Sequence, residues 1–320
     1  MATHLVTGAA GFIGSHVAEA LLQQGERVIG IDSFNDYYDA ALKRQNVAAL
    51  QSHAAFELIA GEIQTLDWPA LLAQSSTVFH QAAQAGVRAS WGQGFGDYTE
   101  RNINATQCML EAAKHASGLQ RFVFASTSSV YGNAETLPTP ESVCPQPISP
   151  YGITKLAAEQ LCWLYWQNFG VPATALRYFT VYGPRQRPDM AFHKFFRAAL
   201  AGEPIAVYGD GRQTRDFTFI SDAVAANLAA AQAPEAVGQA INVGGGSRVA
   251  LTEVLDAIER TVGRSLQRRY AERAMGDARH TGADVSRAHR VLGYRPQVPL
   301  ESGLQQQWAW MQATYEAATG

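Results

Sequence analysis

The sequence predicts an α/β fold: a Rossmann-type, doubly wound parallel sheet followed by a smaller C-terminal α/β lobe. Strand-like and helix-like periodicities alternate from the N-terminus to Tyr178, beginning with the apolar strand THLVTG and the amphipathic helix FIGSHVAEALLQQG. Beyond Tyr178, clusters of Gly and Pro separate shorter elements. Strands that alternate with helices of this length indicate a parallel sheet covered on both faces, and the later change of texture indicates a second lobe.

The elements follow one another in a regular order. The first helix closes at Gly25, and RVIGID then forms a second strand, which completes one βαβ unit. Later segments continue the pattern, with strands STVFHQAA, RFVFAS and PATALRYF, helices NINATQCMLEAAKHA and YGITKLAAEQLCWLYWQNFG, and a closing helix LESGLQQQWAWMQATYEAA. We predict a first domain at residues 1–178, with returns near 215–244, and a second lobe mainly at 179–320.

Composition and net charge indicate which kind of molecule the chain binds. The chain has 320 residues, 47% of them hydrophobic, which is enough for a full core. A formal net charge of −3, without a basic run, gives no reason to expect nucleic acid or a membrane as a partner, so small molecules are expected. The first residues lack a basic segment followed by a cleavable apolar stretch, and we therefore expect a cytoplasmic protein.

Cysteines and histidines give no sign of a metal site. Cys108, Cys144 and Cys162 are widely spaced, which fits a reducing compartment and forms no disulfide or metal framework. His80 and His193 match no metal-ligand spacing with other histidines or carboxylates. Both histidines are predicted to be structural, and no metal is expected.

A glycine triplet in VTGAAGFIG lies between the first strand and the first helix. Glycines there let the backbone turn and approach a diphosphate, which then lies at the helix N-terminus where free N–H groups favour negative charge. Asp32 ends the next strand, where a carboxylate can accept from both ribose hydroxyls and repel a 2′-phosphate, so NAD is predicted rather than NADP. The predicted cofactor-binding residues in this unit are Gly8, Gly11, Phe12, Ile13, Gly14 and Asp32.

Tyr151 and Lys155 stand at i and i+4 of a predicted helix, so their side chains project from one face. A lysine beside a phenol favours the phenolate, and such a tyrosine can take a proton from an alcohol while hydride leaves the same carbon. The strand end FVFASTSSVYG supplies the hydroxyl of Thr127, 24 residues before Tyr151. Ser126, in the same stretch, is expected to satisfy backbone groups at the strand end.

These motifs, with RNINAT, RYFTVYGPRQRPD, GDGRQTRDF and TGADVSRAHRVLGYRP, resemble the extended short-chain dehydrogenase/reductase family, and within it the nucleotide-sugar 4-epimerases. The resemblance implies tightly bound NAD in the first domain, a UDP-sugar in the second lobe and a homodimer through a four-helix bundle. By position it implies that Thr127 hydrogen-bonds the sugar C4 oxygen, Tyr151 is the base, and Lys155 binds the nicotinamide ribose and lowers the phenol pKa. Further implied cofactor contacts are Ile63, Ala82, Asn102, Tyr178 and Glu62. At the position of Glu62 the family more often has Asp.

The residues after Thr127 bear on the reaction. The family's 4,6-dehydratases read Thr-Asp-Glu at this point, and its UDP-glucuronate decarboxylases read Thr-Ser-Glu. This chain has Ser128 and Ser129, which can orient a substrate but supply no acid-base carboxylate. Return of the hydride to a 4-keto intermediate is therefore the expected fate, which is epimerisation.

Several residues point to a uronate sugar. Thr180 stands where UDP-galactose 4-epimerases carry Asn, and the RPDMAFHKF and GVRASWG segments are similar to UDP-glucuronate 4-epimerases. Arg88, in the second of these segments, is expected to bind the substrate. A guanidinium donates hydrogen bonds to both oxygens of a carboxylate, so Thr180 and Arg187 are predicted to hold the C5 carboxylate with help from Ser128 or Ser129. The alternative interpretation makes Arg185 and Arg187 structural or diphosphate-binding, and it is preferred for Arg185.

The resemblance also implies contacts with the rest of the nucleotide. Arg215 resembles the family's diphosphate arginine, and Asp277 is expected at the uridine ribose or at the backbone between the lobes. Val207 and Tyr208 are expected to flank uracil. Arg273 stands one residue away from the family's usual arginine position.

The sequence leaves other functions open. The first alternative is a UDP-glucose or UDP-N-acetylglucosamine 4-epimerase, which would not require a carboxylate on the sugar. A UDP-glucuronate decarboxylase is disfavoured by Ser129, and a non-catalytic NAD-binding sensor is disfavoured by Thr127, Tyr151 and Lys155 together.

Overall fold

A computed structural model describes residues 2–272 and 275–315. Its strands are β1 (Thr3–Thr7), β2 (Arg27–Asp32), β3 (Phe56–Ala60), β4 (Thr77–His80), β5 (Arg121–Thr127), β6 (Ala173–Tyr178), β7 (Val181–Tyr182), β8 (Ile205–Tyr208), β9 (Thr214–Asp216), β10 (Thr218–Phe219), β11 (Ala240–Val243), β12 (Arg248–Ala250) and β13 (Arg268–Ala271). Its helices are α1 (Phe12–Gln23), α2 (Ala40–Gln51), α3 (Trp68–Ala73), α4 (Phe95–Tyr98), α5 (Ala105–Ala113), α6 (Pro150–Phe169), α7 (Ala191–Ala201), α8 (Ile220–Gln232), α9 (Leu251–Val262), α10 (Ser286–Leu292) and α11 (Leu300–Tyr315).

Seven parallel strands form the central sheet in the order β11-β6-β5-β4-β1-β2-β3. The order runs outward from β1 in both directions, first to β2 and β3 and then, on the other side, to β4, β5 and β6. Such a reversal opens a crevice at the carboxyl ends of the strands beside β1. The predicted doubly wound α/β fold is confirmed.

Both faces of this sheet are buried, as strand β5 illustrates. Phe122 and Phe124 pack into one core with residues of α3, α5 and α6, whereas Val123 and Ala125 pack into the other core with residues of α1 and α8. Side chains alternate across a strand, so a strand buried on both faces reads as a continuous apolar run. The edge strand β3 and helix α2 were not predicted, since their apolar patterns are weaker.

The chain after β6 forms three small two-stranded sheets, which pair β7 with β10, β9 with β12 and β8 with β13. Between them the chain returns to the central sheet, where Ile241 of β11 lies opposite Leu176 of β6. Helix α8 then packs against α1. Within residues 2–272 and 275–315, no helix has the length and apolar character needed to cross a bilayer.

Candidate active site

Two adjoining cavities lie at the carboxyl ends of the central strands. One, of about 190 Å³, follows the glycine loop and reaches Asp32 and Glu62. The other, of about 970 Å³, lies between the central sheet and the C-terminal segments. Tyr151 and Arg187 line both cavities, so the predicted base stands where the two meet.

The glycine loop leaves room for a diphosphate. Gly8 has φ +68°, and a Cβ atom there would lie 2.9 Å from the backbone nitrogen of Ala82. A Cβ at Gly14 would collide with the carbonyl oxygen of Gly8. Helix α1 begins at Phe12 with Gly11 as its N-cap and no side-chain cap, so its first N–H groups face the cavity. These features fit a dinucleotide diphosphate at the helix N-terminus.

Asp32 closes the far end of this cavity. Its carboxylate accepts from the backbone nitrogen of Ala10 at 3.0 Å and from that of Phe34 at 2.9 Å, which fixes its orientation. Burial raises the pKa of this carboxyl group. Each carboxylate oxygen keeps further acceptor capacity, which suits a ribose diol. Of the residues predicted to bind cofactor, those that line this cavity are Gly8, Gly11, Phe12, Ile13, Gly14, Asp32, Glu62, Ile63, Ala82 and Tyr178.

Asn102 supports the loop that lines the cofactor cavity, and its predicted contact with the cofactor stays a prediction. Asn102 is buried in a π-helical turn and is absent from the cavity lining. Its amide accepts from the Gln84 backbone nitrogen at 2.8 Å and donates to the Gln84 carbonyl and to Thr154 Oγ1, both at 3.0 Å. Asn102 therefore ties the cavity-lining loop at Gln84 to helix α6.

Helix α6 presents Tyr151 from its first turn. Ser149 caps the helix by accepting from the backbone nitrogen of Gly152 at 3.1 Å, and Pro150 occupies the first helical position. Burial raises the pKa of Tyr151, while the positive charge of Arg187 and a hydrogen bond with Thr127 act in the opposite direction.

The predicted effect of Lys155 on the Tyr151 pKa stays a prediction. The ammonium of Lys155 lies 4.2 Å from the centre of the Phe124 ring, and burial lowers its own pKa to about 7. Arg187 supplies the charge that favours the Tyr151 phenolate. The sequence predicted such a charge one helical turn along α6, and the fold adds another from the segment after β7.

Of the four hydroxyl side chains at the end of β5, three line the larger cavity and one bonds a buried carboxylate. Thr127, Ser128 and Ser129 line the larger cavity, and Thr127 Oγ1 accepts from the Ser129 backbone nitrogen at 3.1 Å. Ser126 donates to the carboxylate of Glu159 on α6, so its partner is a buried side chain and not the backbone groups that we expected.

Arg187 is already paired inside the cavity. Its Nε donates to Asp189 Oδ1 and its Nη2 donates to Oδ2, each at 2.9 Å. The Tyr37 hydroxyl donates to the same Asp189 Oδ2 at 3.2 Å. Thr180 lines this cavity as well. Arg185 instead pairs with Glu19 of α1 at 3.0 Å, in keeping with a structural role.

The other end of the larger cavity brings together residues from distant segments. The Arg88 guanidinium lies 4.1 Å from the centre of the Tyr208 ring and donates to Asp277 at 2.8 Å. Arg215 lines the same cavity. Val207 does not, because β8 alternates and Val207 is fully buried in the core beside the exposed Tyr208. The expectation that Val207 flanks uracil is therefore wrong. Arg273 lies outside the described residues.

Comparison with known proteins agrees with this geometry. A family model described as the NAD dependent epimerase/dehydratase family matches residues 4–244. The chain belongs to this family. It is 44% identical to the Bacillus subtilis (strain 168) protein named uncharacterized UDP-glucose epimerase YtcB, over 98% of both chains. It is 36% identical to a UDP-glucuronate 4-epimerase of Thermodesulfobacterium geofontis (strain OPF15), covering 99% of this chain and 98% of that one.

A solved structure shares the whole architecture. The UDP-glucuronic acid 4-epimerase from Bacillus cereus, solved in complex with UDP-glucuronic acid and NAD, superposes with a TM-score of 0.95. It is 42% identical, and the match covers 98% of this chain and 100% of that one. The resemblance to the extended short-chain dehydrogenase/reductase family is thus confirmed.

Sequence reasoning missed two residues that line the larger cavity, Asp189 and Tyr37. Asp189 lies within the RPD segment that pointed to Arg187, and Tyr37 lies in NDYYD after β2. The only available signal for Asp189 was an acid two residues after an arginine, a spacing that does not by itself predict a contact. Tyr37 is 152 positions away from Asp189, so their contact could not be foreseen.

Two of the eight histidines, His80 and His193, are buried in hydrogen-bond networks. His80 contacts Thr7 Oγ1 at 2.8 Å through Nδ1 and Thr106 Oγ1 at 2.9 Å through Nε2. His193 Nε2 lies 2.8 Å from the Tyr315 hydroxyl. Within the described part of the chain, no cluster of three or more His, Cys, Asp or Glu side chains could hold a metal.

Proposed function

We propose that this protein is an NAD-dependent isomerase that interconverts UDP-glucuronate and UDP-galacturonate by epimerisation at C4. The observation that carries the proposal is the meeting of Tyr151 and Arg187 at the junction of the two cavities. A base and a carboxylate-binding guanidinium are thereby available to one sugar ring. The Bacillus cereus relative with bound UDP-glucuronic acid and NAD supports the same assignment.

The residues of this chain supply proton transfer and positioning. NAD held by the glycine loop and Asp32 would supply a reversible hydride acceptor for C4. Tyr151 takes the C4 hydroxyl proton, and Thr127 holds the same oxygen by sharing a hydrogen bond. The sugar must then present its other face, and a cavity of about 970 Å³ leaves space for that rotation. Catalysis is therefore chiefly a matter of alignment on both faces.

The carboxylate creates a hazard that Arg187 counters. A 4-keto-uronate is a β-keto acid, and its carboxylate leaves as CO₂ when its C–C bond aligns with the ketone π system. A bound guanidinium stabilises charge on the carboxylate and holds that bond out of alignment. Ser128 and Ser129 add no carboxylate that would assist elimination or proton transfer at C5.

A second candidate substrate is UDP-glucose. The observation in its favour is that Asp189 already pairs with Arg187, so a neutral sugar would not leave the guanidinium without a partner. The 44% identical relative bears the name of a UDP-glucose epimerase.

Proton NMR of the purified protein incubated with UDP-glucuronate, UDP-glucose or UDP-N-acetylglucosamine tests the proposal. We expect the galacto product from UDP-glucuronate and little from the neutral sugars. Conversion of a neutral sugar with UDP-glucuronate unchanged would retain an epimerase and reject the uronate assignment. Absence of turnover with all three would favour a binding protein.

We also propose a cytoplasmic homodimer. Ile153, Trp163 and Leu164 of α6 are 52%, 48% and 44% exposed, which is unusual for large apolar side chains on one helix. Pairing of this helix with its copy would bury them and give the helical bundle that the family resemblance implies. The widely spaced cysteines and the nucleotide-sugar substrate support a cytoplasmic location.

A further inference from the structure

The inference concerns Asp189, whose side chain occupies the fork of Arg187. Nε and Nη2 of the guanidinium meet the two carboxylate oxygens at 2.9 Å each, which is the bidentate geometry. Tyr37 reaches Asp189 from the segment after β2 and donates to it at 3.2 Å. The Arg187 and Asp189 side chains are 23% and 29% exposed, so water screens the pair only partly.

This pairing uses the edge of Arg187 that a substrate carboxylate would also prefer. A guanidinium has five N–H donors, and Asp189 engages two of them along the Nε edge. An incoming carboxylate must displace Asp189 or accept the remaining edge beside it. In either case it meets an arginine whose charge is already balanced, and two carboxylates at one guanidinium repel each other.

The same pairing has the opposite consequence for a neutral sugar. A largely buried arginine without a partner is costly, and a hexose C6 hydroxyl would compensate its charge poorly. Asp189 removes that cost because Arg187 stays paired whether or not the sugar carries a carboxylate. The acid therefore weakens the attraction for a uronate and leaves neutral hexoses acceptable.

We propose that Asp189 is a specificity-determining positioning residue that competes with the sugar carboxylate for Arg187, and that Tyr37 stabilises the competing pair. This inference rests on the proposed function for the place of the sugar carboxylate. It adds that the preference between uronate and hexose is set by the strength of an internal ion pair as well as by Arg187 itself.

Calorimetric binding to the NAD-loaded protein tests the inference. Tyr151→Phe in all variants prevents turnover, and UDP-glucuronate, UDP-glucose and UDP are titrated separately. In Asp189→Asn, the ratio of the dissociation constants for UDP-glucuronate and UDP-glucose should fall roughly tenfold, as expected when a competing charge is removed from a partly buried pair. Tyr37→Phe should lower the same ratio about twofold, since it removes one hydrogen bond.

Asp210→Asn is the matched control. Asp210 lines the same cavity but pairs with Arg279 at 3.3 Å, so its neutralisation should leave the ratio unchanged. Unchanged binding of UDP shows that each variant is folded. A ratio that stays constant or rises in Asp189→Asn overturns the inference.

If Asp189→Asn does not fold, the Tyr37→Phe variant tests the inference instead. An unchanged ratio of the two dissociation constants in that variant would show that Asp189 does not compete with the sugar carboxylate. The result is separable from the proposed function. A wild-type protein that does not epimerise UDP-glucuronate refutes the proposed function, whereas the ratio of dissociation constants still tests Asp189.

Discussion

Arg177 of β6 and Glu159 of α6 form a buried ion pair beside the candidate active site. Arg177 Nε donates to Glu159 Oε1 at 3.2 Å and to Oε2 at 3.0 Å, and both side chains are almost fully buried. Ser126 donates to the same carboxylate, directly before the Thr127 hydroxyl in the chain. Glu159 also lies one helical turn beyond Lys155. The pair thus joins β6 to the helix that carries the predicted base, and Ser126 attaches the end of β5 to the same carboxylate.

Removing one member of this pair should destabilise the fold strongly. Glu159→Gln leaves the Arg177 charge buried without its partner, and we expect a loss of about 3–5 kcal/mol in the free energy of unfolding. Urea denaturation measures the change. Ser126→Ala, which removes one hydrogen bond to the charge, should cost about 1.5–3 kcal/mol. A loss in Glu159→Gln no larger than that of Ser126→Ala would contradict the importance of the ion pair.

The reaction products test whether Arg187 holds the sugar carboxylate. In Arg187→Ala the 4-keto-uronate loses the group that holds its carboxylate, so UDP-pentose should accumulate and the Michaelis constant for UDP-glucuronate should rise. NMR of the reaction mixture reports both the pentose and the galacto product. No additional pentose, together with an unchanged Michaelis constant, would show that Arg187 does not hold the carboxylate.

The pH dependence of turnover should follow the charges around Tyr151. Arg187 favours the phenolate and Asp189 opposes it. Arg187→Gln should therefore raise the Tyr151 pKa and move the acidic limb of kcat to higher pH, whereas Asp189→Asn should move it to lower pH. Single-turnover rates measured across the pH range give the two shifts. Shifts of the same sign in both variants would refute this electrostatic account.

His80 should make the fold less stable in acid. It is fully buried, and burial, assisted by the charge of Lys155, lowers its pKa from 6.5 to about 3. The unfolded chain then binds a proton that the native chain does not, so stability falls as pH decreases from 6.5 towards 3, by about 1.4 kcal/mol per pH unit.

Denaturation at several pH values compares the wild type with His80→Gln, which cannot titrate. The variant should show a slope shallower by one proton in that range. Equal slopes in the two proteins would mean that His80 is protonated in the native state.

Assembly should depend on the exposed apolar face of α6. Ile153 and Leu164 are eleven residues apart and so share one face of the helix. Leu164→Glu places a charge in the proposed interface, and the protein should become monomeric by light scattering. Tyr270→Glu changes a comparably exposed side chain, at 55%, on β13 and should leave the assembly unchanged. A wild-type monomer would reject the interface outright.

Much of the nucleotide site was predictable because its requirements are local. Gly8 needs a backbone conformation with positive φ, Gly14 needs the absence of a Cβ, and Asp32 ends the strand that follows. Each requirement concerns residues close together in the chain, where spacing alone is informative. The alternation of strands and helices predicted the central sheet for the same reason.

The sequence by itself determined the fold class, the dinucleotide loop and the hydroxyl, phenol and amine of the candidate catalytic group. Tertiary structure alone decided that Arg187 lines the same cavities as Tyr151, that Asp189 pairs with Arg187 and accepts from Tyr37, and that Val207 is buried. The physical reason is the sequence separation of the residues that interact. Backbone conformation follows from neighbouring residues, whereas charge pairing and burial depend on which distant segments the folded chain brings within a few ångströms.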